Sequence, residues 1–274
     1  MNESATRPTR SAYAEVNGLR LYHELRGDGG GTGTPLVVLH GGLHNTALDA
    51  PVAERFAQRR QVISVDLQAH GRTADIDRPL RYEQLADDVG ALLASLGIAQ
   101  VDLLGYSFGG GVALQTAIRH AARVRKLVVL SSPFSSNGWF PEVQHGFKHV
   151  GRALAEPMRP SPVYQTYASI APRPEDFPQL LDKMGELQTR SYDWSADVAR
   201  LALPAMLVFA DADSMPPSYM ARFFELLGGG QRDAGWDGSA APRARLAILP
   251  GQTHYNVFDS PALVATVEPF LDAR

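Results

Sequence analysis

The sequence predicts an α/β fold with a mostly parallel sheet, from two recurring patterns and one short motif. Short, continuous apolar runs such as residues 36–39 are typical of strands buried on both faces of a parallel sheet. Amphipathic helical patterns separate these runs, as at residues 82–96. One run, residues 101–104, leads into Gly105-Tyr106-Ser107-Phe108-Gly109, and a further helical pattern follows it. Strands alternating with helices in this way indicate an α/β domain.

Composition sets the limits of function. The chain has 274 residues, 45% hydrophobic and 20% charged, which suits one large α/β domain. A net charge of −3 gives no electrostatic reason to expect a nucleic-acid or membrane partner. There is no cysteine, so disulfides, thiolate catalysis and cysteine-ligated metals are excluded. The first ten residues are polar, and no apolar stretch approaches the ~20 residues of a membrane helix. We therefore expect a soluble, cytoplasmic protein.

Each element can be justified in order along the chain. Residues 1–11 are polar and predict a disordered leader. Asn17-Gly18 lies between residues 12–16 and 19–25 and is a strong hairpin signal, so an antiparallel pair is expected at one sheet edge. The predicted buried strands are residues 36–39, 62–65, 101–104, 126–130, 205–209 and 245–249. The predicted helices are residues 50–59, 82–96, 112–118 and a C-terminal helix from Pro261, and residues 228–242 predict a loop.

The pentapeptide predicts a nucleophile at Ser107. A strand that ends in a sharp turn before a helix exposes the serine at the top of a sheet. Gly105 and Gly109 fit so tight a bend because they carry no side chain. The following helix directs its free N–H groups and positive dipole end towards the serine. The alternative is a glycine-rich turn with an incidental serine, and the flanking strand and helix favour the nucleophile.

With His40-Gly41-Gly42 upstream and an Asp…His pair downstream, the motif resembles the α/β-hydrolase fold family. The resemblance runs from about Leu19 to the C-terminus and is weakest over residues 133–203. It implies a mostly parallel eight-stranded sheet flanked by helices. It also implies a core of residues 12–132 and 204–274, with a helical cap of residues 133–203 inserted. Scattered aromatic residues there suit a cap roof or surface helices with core aromatics, and we favour the cap.

The resemblance assigns the catalytic parts. The order Ser107, Asp213, His254 matches nucleophile, acid and base in this family, and each residue follows the C-terminal end of a predicted strand. Asp211 is the alternative acid, but we expect it to bind the loop backbone. The N–H groups of Gly42 and Phe108 would form the oxyanion hole, unless the first belongs to an ordinary strand-to-loop turn. The expected substrate contacts are Leu43, Trp139, Met215 and Tyr255.

We assign mainly structural roles to the other polar residues near these loops. His40 is expected to be a structural hydrogen-bonding residue, and His44 is open between facing the cavity and facing away. Asp66 and His70 are expected to structure their loop rather than act as an acid–base pair. The family usually has glycine where Ala69 stands and serine where Thr73 stands. Asp87 and Asp88 are interpreted as a solvated helix face.

These residues imply a serine hydrolase that cleaves small to medium carboxylic esters or lactones through an acyl-enzyme, with no metal or other cofactor. A cofactor-free perhydrolase or acyltransferase and a C–C bond hydrolase remain alternatives, because they share the nucleophile. Haloalkane dehalogenases and epoxide hydrolases carry aspartate at the serine position, so they are disfavoured. A non-enzymatic receptor is disfavoured because all three triad members are present. The expected partner is a small-molecule ester or lactone, and the oligomeric state stays open.

Overall fold

The computed structural model describes residues 9–27 and 33–273. A single eight-stranded sheet runs through it in the order β1-β2-β4-β3-β5-β6-β7-β8. The strands are β1 (Arg10–Val16), β2 (Leu19–Arg26), β3 (Leu36–Leu39), β4 (Val62–Val65), β5 (Val101–Tyr106), β6 (Val124–Leu130), β7 (Ala205–Ala212) and β8 (Arg245–Thr253). Strands β1 and β2 are antiparallel, β2 is antiparallel to β4, and every other pairing is parallel. The predicted mostly parallel sheet with an antiparallel edge hairpin is confirmed.

Helices cover both faces of the sheet. They are α1 (Ala50–Ala57), α2 (Tyr82–Ser95), α3 (Phe108–Arg119), α4 (Pro141–Phe147), α5 (Ala155–Met158), α6 (Pro162–Ile170), α7 (Phe177–Thr189), α8 (Ser195–Val198), α9 (Pro217–Leu226) and α10 (Pro261–Asp272). Successive side chains of a strand point to opposite faces. In β3, Val37 therefore joins the core beneath α2 and α3, and Val38 joins the core beneath α1 and α10. Burial on both faces explains why the central strands are continuous apolar runs.

Element ends differ from the sequence prediction by a few residues. Strand β1 begins at Arg10, so residues 10 and 11 belong to the sheet rather than to the predicted leader. Residues 1–8 of that leader lie outside the described residues. Helix α1 ends at Ala57 rather than at residue 59. Helix α9 was not predicted, although Tyr219, Met220 and Phe223 form a buried face at helical spacing.

The interpretation of Asp88 as part of a solvated face was wrong. Its side chain is fully buried and accepts hydrogen bonds from Arg78 Nη2 at 2.5 Å and Asn17 Nδ2 at 2.9 Å. The neighbouring Asp87 is partly exposed and pairs with Arg119. The charge and hydrogen bonds of Arg78 compensate Asp88 for burial, since a buried carboxylate without partners would be costly.

Residues 133–203 are helical and add no strand to the sheet. They contain α4 to α8, short 3₁₀ turns and one isolated β-bridge between Ser135 and Asp193. Residues 228–242 contain no helix or strand and carry the fully exposed Trp236. Within the described ranges, no helix is long and apolar enough to cross a membrane.

Candidate active site

Ser107 occupies the sharp turn between β5 and α3. Its φ is 52° and its ψ is −114°, a region that side-chain-bearing residues rarely adopt and that stores backbone strain. The turn is held in place because Ser107 N–H donates to Leu130 O at 2.9 Å, and Ser107 O accepts from Gly110 N–H at 2.9 Å. Strand β5 thus delivers the serine to the C-terminal edge of the sheet in a fixed orientation.

The two flanking glycines are required by close backbone approach. A Cβ at Gly105 would lie 2.1 Å from Gly109 O, and a Cβ at Gly109 would lie 2.3 Å from Leu39 O. Both distances are far below van der Waals contact, so α3 can pack this tightly on β3 and β5 only without side chains there. The structure confirms the strand, sharp turn and helix predicted around Ser107.

A continuous hydrogen-bonded path joins the three residues predicted as nucleophile, base and acid. Ser107 Oγ lies 3.1 Å from His254 Nε2, and His254 Nδ1 lies 2.9 Å from Asp213 Oδ1. A carboxylate can only accept, so the ring proton is on Nδ1 and Nε2 is free to accept from the serine hydroxyl. The structure brings together three side chains that are far apart in sequence.

Asp213 is buried and surrounded by donors. Oδ1 also accepts from Ser214 N–H at 2.7 Å, while Oδ2 accepts from Ser131 Oγ at 2.5 Å and Ala210 N–H at 3.0 Å. Burial works to raise the pKa of Asp213, but the hydrogen bond and charge of His254, with the other donors, outweigh it. The pKa therefore lies below its ordinary value, and the carboxylate stays ionised beside the imidazole.

Aromatic side chains hold the His254 ring. Tyr106 Oη donates to His254 O at 2.6 Å, and the Trp139 ring meets the imidazole edge-on at 5.5 Å between centroids. The Tyr255 ring also contacts the imidazole, with ring centroids 5.4 Å apart. His254 is only 8% exposed, so its orientation is set by packing as well as by Asp213.

The rival polar residues have structural partners. Asp211 accepts from the N–H groups of Gly251 and Gln252 at 2.9 and 3.1 Å, as predicted for a loop-binding residue. His40 Nε2 accepts from Leu67 N–H at 3.1 Å. Burial lowers the pKa of His40 to about 3, so its imidazole is neutral and structural.

Asp66 and His70 also structure their loop. The two carboxylate oxygens of Asp66 accept from Thr46 N–H at 2.7 Å and Arg72 N–H at 2.8 Å. His70 Nδ1 is 2.8 Å from Gln68 O, and burial lowers the pKa of His70 to about 4. Neither side chain lines the cavity beside Ser107.

Gly42 and Phe108 lie next to each other. A Cβ at Gly42 would lie 3.7 Å from Phe108 Cβ and 2.8 Å from Met184 Cε, which shows how closely the loop after β3 approaches the turn. Among the described residues, neither the Gly42 N–H nor the Phe108 N–H donates a hydrogen bond. Two free N–H groups are therefore available beside Ser107.

Ser107 and His254 line a cavity of about 190 Å³. Part of its wall comes from the core loops and part from residues 133–203. The lining residues are Gly41, Gly42, His44, Tyr82, Tyr106, Ser107, Phe108, Trp139, Val143, Phe147, Met184, Gln188, Tyr192, Ser214, His254 and Tyr255.

A family model described as the alpha/beta hydrolase fold matches residues 34–230 of the chain. The chain belongs to the alpha/beta-hydrolase fold family. The eight-stranded, mostly parallel sheet agrees with this assignment. The assignment supports hydrolase activity, and the resemblance read from the sequence motifs is confirmed.

Relatives of this alpha/beta hydrolase have varied activities. It is 25% identical over 224 residues to RutD of Azorhizobium caulinodans, to which carbamate hydrolysis is attributed, covering 76% of this chain and 83% of RutD. It is 39% identical over 106 residues to a 2-hydroxymuconate semialdehyde hydrolase from a Pseudomonas species, covering 37% of this chain and 38% of that protein. For four curated relatives, this chain spans between 32% and 46% of their length.

Solved structures show the same fold. The crystal structure of the enol-lactonase from Burkholderia xenovorans LB400 matches this hydrolase with a TM-score of 0.70 at 22% identity. The match covers 95% of this chain and 100% of the enol-lactonase. At this level of identity the likeness establishes a shared architecture.

The substrate contacts expected from the sequence divide into two groups. Trp139 and Tyr255 line the cavity of the hydrolase, but Leu43 and Met215 are not among its lining residues. Met215 is 1% exposed and packs into the main core instead. Leu43 has a φ of 64°, and it packs against the same core as a partly buried residue. Proximity to a catalytic loop in the sequence does not determine on which side of the loop a residue lies.

Sequence reasoning missed several cavity residues. Met184 and Gln188 lie on α7 at a spacing of four residues, which places them on one helix face, and this could have been read from the sequence. Tyr106 lies within the pentapeptide itself. Tyr82 and Tyr192 had no such signal, because their place in the wall depends on how distant segments pack. His44, which the sequence left open, faces the cavity.

Proposed function

We propose that this alpha/beta hydrolase cleaves small to medium carboxylic esters or lactones through an acyl-enzyme. Ser107 is the nucleophile, His254 the general base and acid, and Asp213 the residue that orients and charge-stabilises His254. The observation that carries the proposal is the path from Ser107 Oγ through the imidazole to a buried carboxylate, with steps of 3.1 and 2.9 Å. That path starts at a strained turn and lies in the wall of a cavity.

The first half of the reaction acylates Ser107. As Oγ attacks the substrate carbonyl carbon, its proton passes to His254 Nε2. The resulting imidazolium is stabilised by Asp213 across the 2.9 Å hydrogen bond. Collapse of the tetrahedral intermediate breaks the bond to the leaving oxygen, which takes the proton from Nε2. The products are the acyl-enzyme and an alcohol, or a tethered hydroxyl from a lactone.

The second half returns the enzyme to its starting state. Water attacks the acyl carbon while His254 Nε2 accepts one of its protons. The intermediate collapses, Ser107 Oγ takes that proton back, and the carboxylic acid leaves. Hydrogen peroxide or an alcohol in place of water would give a peracid or a new ester from the same acyl-enzyme, and we treat these acceptors as variants of one mechanism.

The oxyanion formed in both halves needs donors. We assign the free N–H groups of Gly42 and Phe108, which lie beside the serine. Removing one such donor from an oxyanion hole typically costs about 3 to 4 kcal/mol of transition-state stabilisation. Because both donors are backbone groups, they are fixed before the substrate arrives.

We further propose that residues 133–203 act as a cap that sets substrate size. Trp139, Phe147 and Met184, all within this segment, form much of the cavity wall. Trp139 and Phe147 contact each other edge-on, with ring centroids 5.5 Å apart. A wall of packed aromatic rings favours a short acyl group and resists a long one, because overpacking costs roughly 1–3 kcal/mol.

A panel of p-nitrophenyl esters tests the proposal. The panel includes acyl chains of two to sixteen carbons, a simple lactone and a p-nitrophenyl carbamate, the last because RutD is a relative. We expect ester hydrolysis, and a loss of about 10⁴-fold or more in Ser107→Ala and His254→Ala with the fold retained. The control is Ser169→Ala, at an exposed serine on α6 whose Oγ bonds only to Thr166 O among the described residues. Activity within tenfold of the parent in either active-site variant would rule out the mechanism.

A further inference from the structure

The cavity wall contains one histidine that the proposed mechanism does not use. Among the described residues that line the cavity there is no Asp, Glu, Lys or Arg. Apart from tyrosines, the ionisable groups are His254, which is the proposed base, and His44. His44 is therefore the lining residue whose charge has no assigned purpose.

His44 is held in one orientation by a buried acid. Its Nδ1 lies 2.8 Å from Oδ1 of Asp49, the residue that precedes α1, and Asp49 is only 5% exposed. The bond places a proton on Nδ1, because an ionised carboxylate only accepts. The His44 side chain is 24% exposed, and no described residue is hydrogen-bonded to its Nε2. The free nitrogen therefore belongs to an accessible part of the wall.

Tyr106 contacts both His44 and the proposed base. The His44 ring meets the Tyr106 ring edge-on at 5.9 Å between centroids, and the Tyr106 ring also contacts the His254 ring at 5.7 Å. A substrate bound at Ser107 therefore occupies the same cavity that His44 lines. The wall also contains Trp139, whose indole N–H donates to no described residue. Unused donors and an absence of lining carboxylates favour an anionic ligand over a cationic one.

We propose that His44, supported by Asp49, binds a carboxylate carried by the substrate, at a position separate from the reacting carbonyl. The inference rests on the proposed function in taking this cavity as the substrate site, and it narrows the substrate class to monoanionic esters or lactones. The imidazolium Nε2–H would donate to the carboxylate, and such charge-assisted bonds are about twice as strong as neutral ones.

The surroundings of His44 support the charged form. Burial acts to lower the pKa of His44, but the hydrogen bond from Nδ1 to Asp49 and the charges of Asp49 and Asp259 outweigh it. The pKa of His44 therefore lies above its ordinary value.

The other titratable rings near His44 are uncharged near neutral pH and do not change protonation state there. Burial lowers the pKa of His40 to about 3 and that of His70 to about 4, so both stay neutral. Burial also raises the pKa of Tyr106, which stays neutral too. An anion preference due to His44 should be full below the pKa of His44 and lost as the pH rises through it.

The test compares esters matched in shape and different in charge. One pair is mono-p-nitrophenyl glutarate against its methyl ester, which places the charge on the acyl side. The other is 4-acetoxybenzoate against methyl 4-acetoxybenzoate, which places it on the leaving group. We expect kcat/KM to favour the anion about tenfold or more in one pair, a typical effect of a charge-assisted bond.

Two variants connect that ratio to His44. His44→Gln keeps a donor for Asp49 but carries no charge, and we expect it to lower the anion-to-neutral ratio about tenfold below the pKa of His44 and to leave the ratio unchanged above it. Asp49→Asn keeps the imidazole and removes the charge that retains its proton, so the anion preference should disappear at a lower pH than in the parent. His145→Gln, at an exposed histidine of α4, is the matched control and should keep the parent ratio.

A binding measurement separates this inference from the proposed function. Calorimetry of Ser107→Ala with glutarate detects the anion site without turnover, and adding His44→Gln should weaken that binding about tenfold. Hydrolysis of the neutral esters without anion preference, or a ratio unchanged in His44→Gln below the pKa of His44, overturns the carboxylate site and leaves the serine mechanism standing. Glutarate binding lost with His44→Gln, in a parent that hydrolyses no ester, would retain the anion site and overturn the proposed function.

Discussion

Asp213→Asn replaces one carboxylate oxygen by an amide nitrogen, at a site where every neighbour is a hydrogen-bond donor. The amide therefore has only two possible orientations, and both can be worked out from the structure. The four groups bonded to the carboxylate are His254 Nδ1, Ser214 N–H, Ser131 Oγ and Ala210 N–H. An amide replaces one oxygen by an NH₂ group, which must then face one of the two backbone N–H groups. Either orientation therefore leaves a buried donor without an acceptor, at a cost of roughly 1–3 kcal/mol in stability.

The two orientations damage catalysis in different ways. With NH₂ towards His254, the amide donates to Nδ1 and the ring proton moves to Nε2, where it blocks acceptance from Ser107. With NH₂ towards Ser131, the tautomer survives but the charge that stabilises the imidazolium is lost. We expect kcat to fall between about 10²- and 10⁴-fold, the upper value corresponding to the wrong tautomer.

The assay is p-nitrophenyl butyrate hydrolysis with parallel urea denaturation. Asp211→Asn is the matched control, because Asp211 is exposed and its backbone partners can bond to water instead. It should stay within about fivefold of the parent, as most surface changes do. If Asp211→Asn loses more activity than Asp213→Asn, the reasoning about the acid is refuted.

Three further predictions concern the cavity and its supporting loop. Activity should peak at butyryl or hexanoyl p-nitrophenyl esters, and Phe147→Ala should move the peak to longer chains; an unmoved peak would mean that Phe147 does not limit length. Gln188 Oε1 is buried without a partner among the described residues. Gln188→Leu should therefore raise the free energy of unfolding by about 1 kcal/mol while lowering kcat/KM; a variant with a lower free energy of unfolding would contradict this. Burial raises the pKa of Asp66 to about 6, so the stability it contributes is full below its unfolded pKa and is lost as the pH rises through about 6. The advantage of the parent over Asp66→Asn in unfolding free energy should therefore shrink between pH 4 and 7, and a growing advantage would reverse the sign.

The central sheet was predictable because burial on both faces leaves a continuous apolar run. Strands β3 and β4 have the predicted bounds. Strand β8 extends beyond its prediction to Thr253, through a register shift where β7 passes Ala210. Such irregular pairing depends on a neighbouring strand and leaves no apolar pattern in the extending residues.

The wrong interpretation of Asp88 shows what a helical pattern can and cannot predict about a charged residue. Asp88 lies three residues after Leu85 and four before Leu92, on the buried face of α2. That spacing can be seen in the sequence. The charge that compensates the burial of Asp88 belongs to Arg78, which comes from a loop. Helical periodicity places a side chain on a face, and only tertiary contacts show whether a charge there is compensated.

The three residues proposed as catalytic could be expected from the sequence to lie close together, because strand ends in a parallel sheet share one edge. The cavity wall could not be placed with equal success. Met215 lies in the loop that follows β7, close to Asp213 in sequence, yet it packs into the core. Tyr192 comes from a segment distant in sequence, yet it lines the cavity. Which side of a loop faces a cavity is decided by backbone angles and packing that no short motif encodes.

The most direct test of the account is the chemical identity of the nucleophile. The protein is incubated with a fluorophosphonate, a class that phosphonylates activated serines, and examined by intact-protein and peptide mass spectrometry. We predict one adduct per chain, on Ser107, with labelling absent in Ser107→Ala and strongly slowed in His254→Ala. An adduct on another residue, or equal labelling of Ser107→Ala, would contradict the assignment of Ser107 as the nucleophile.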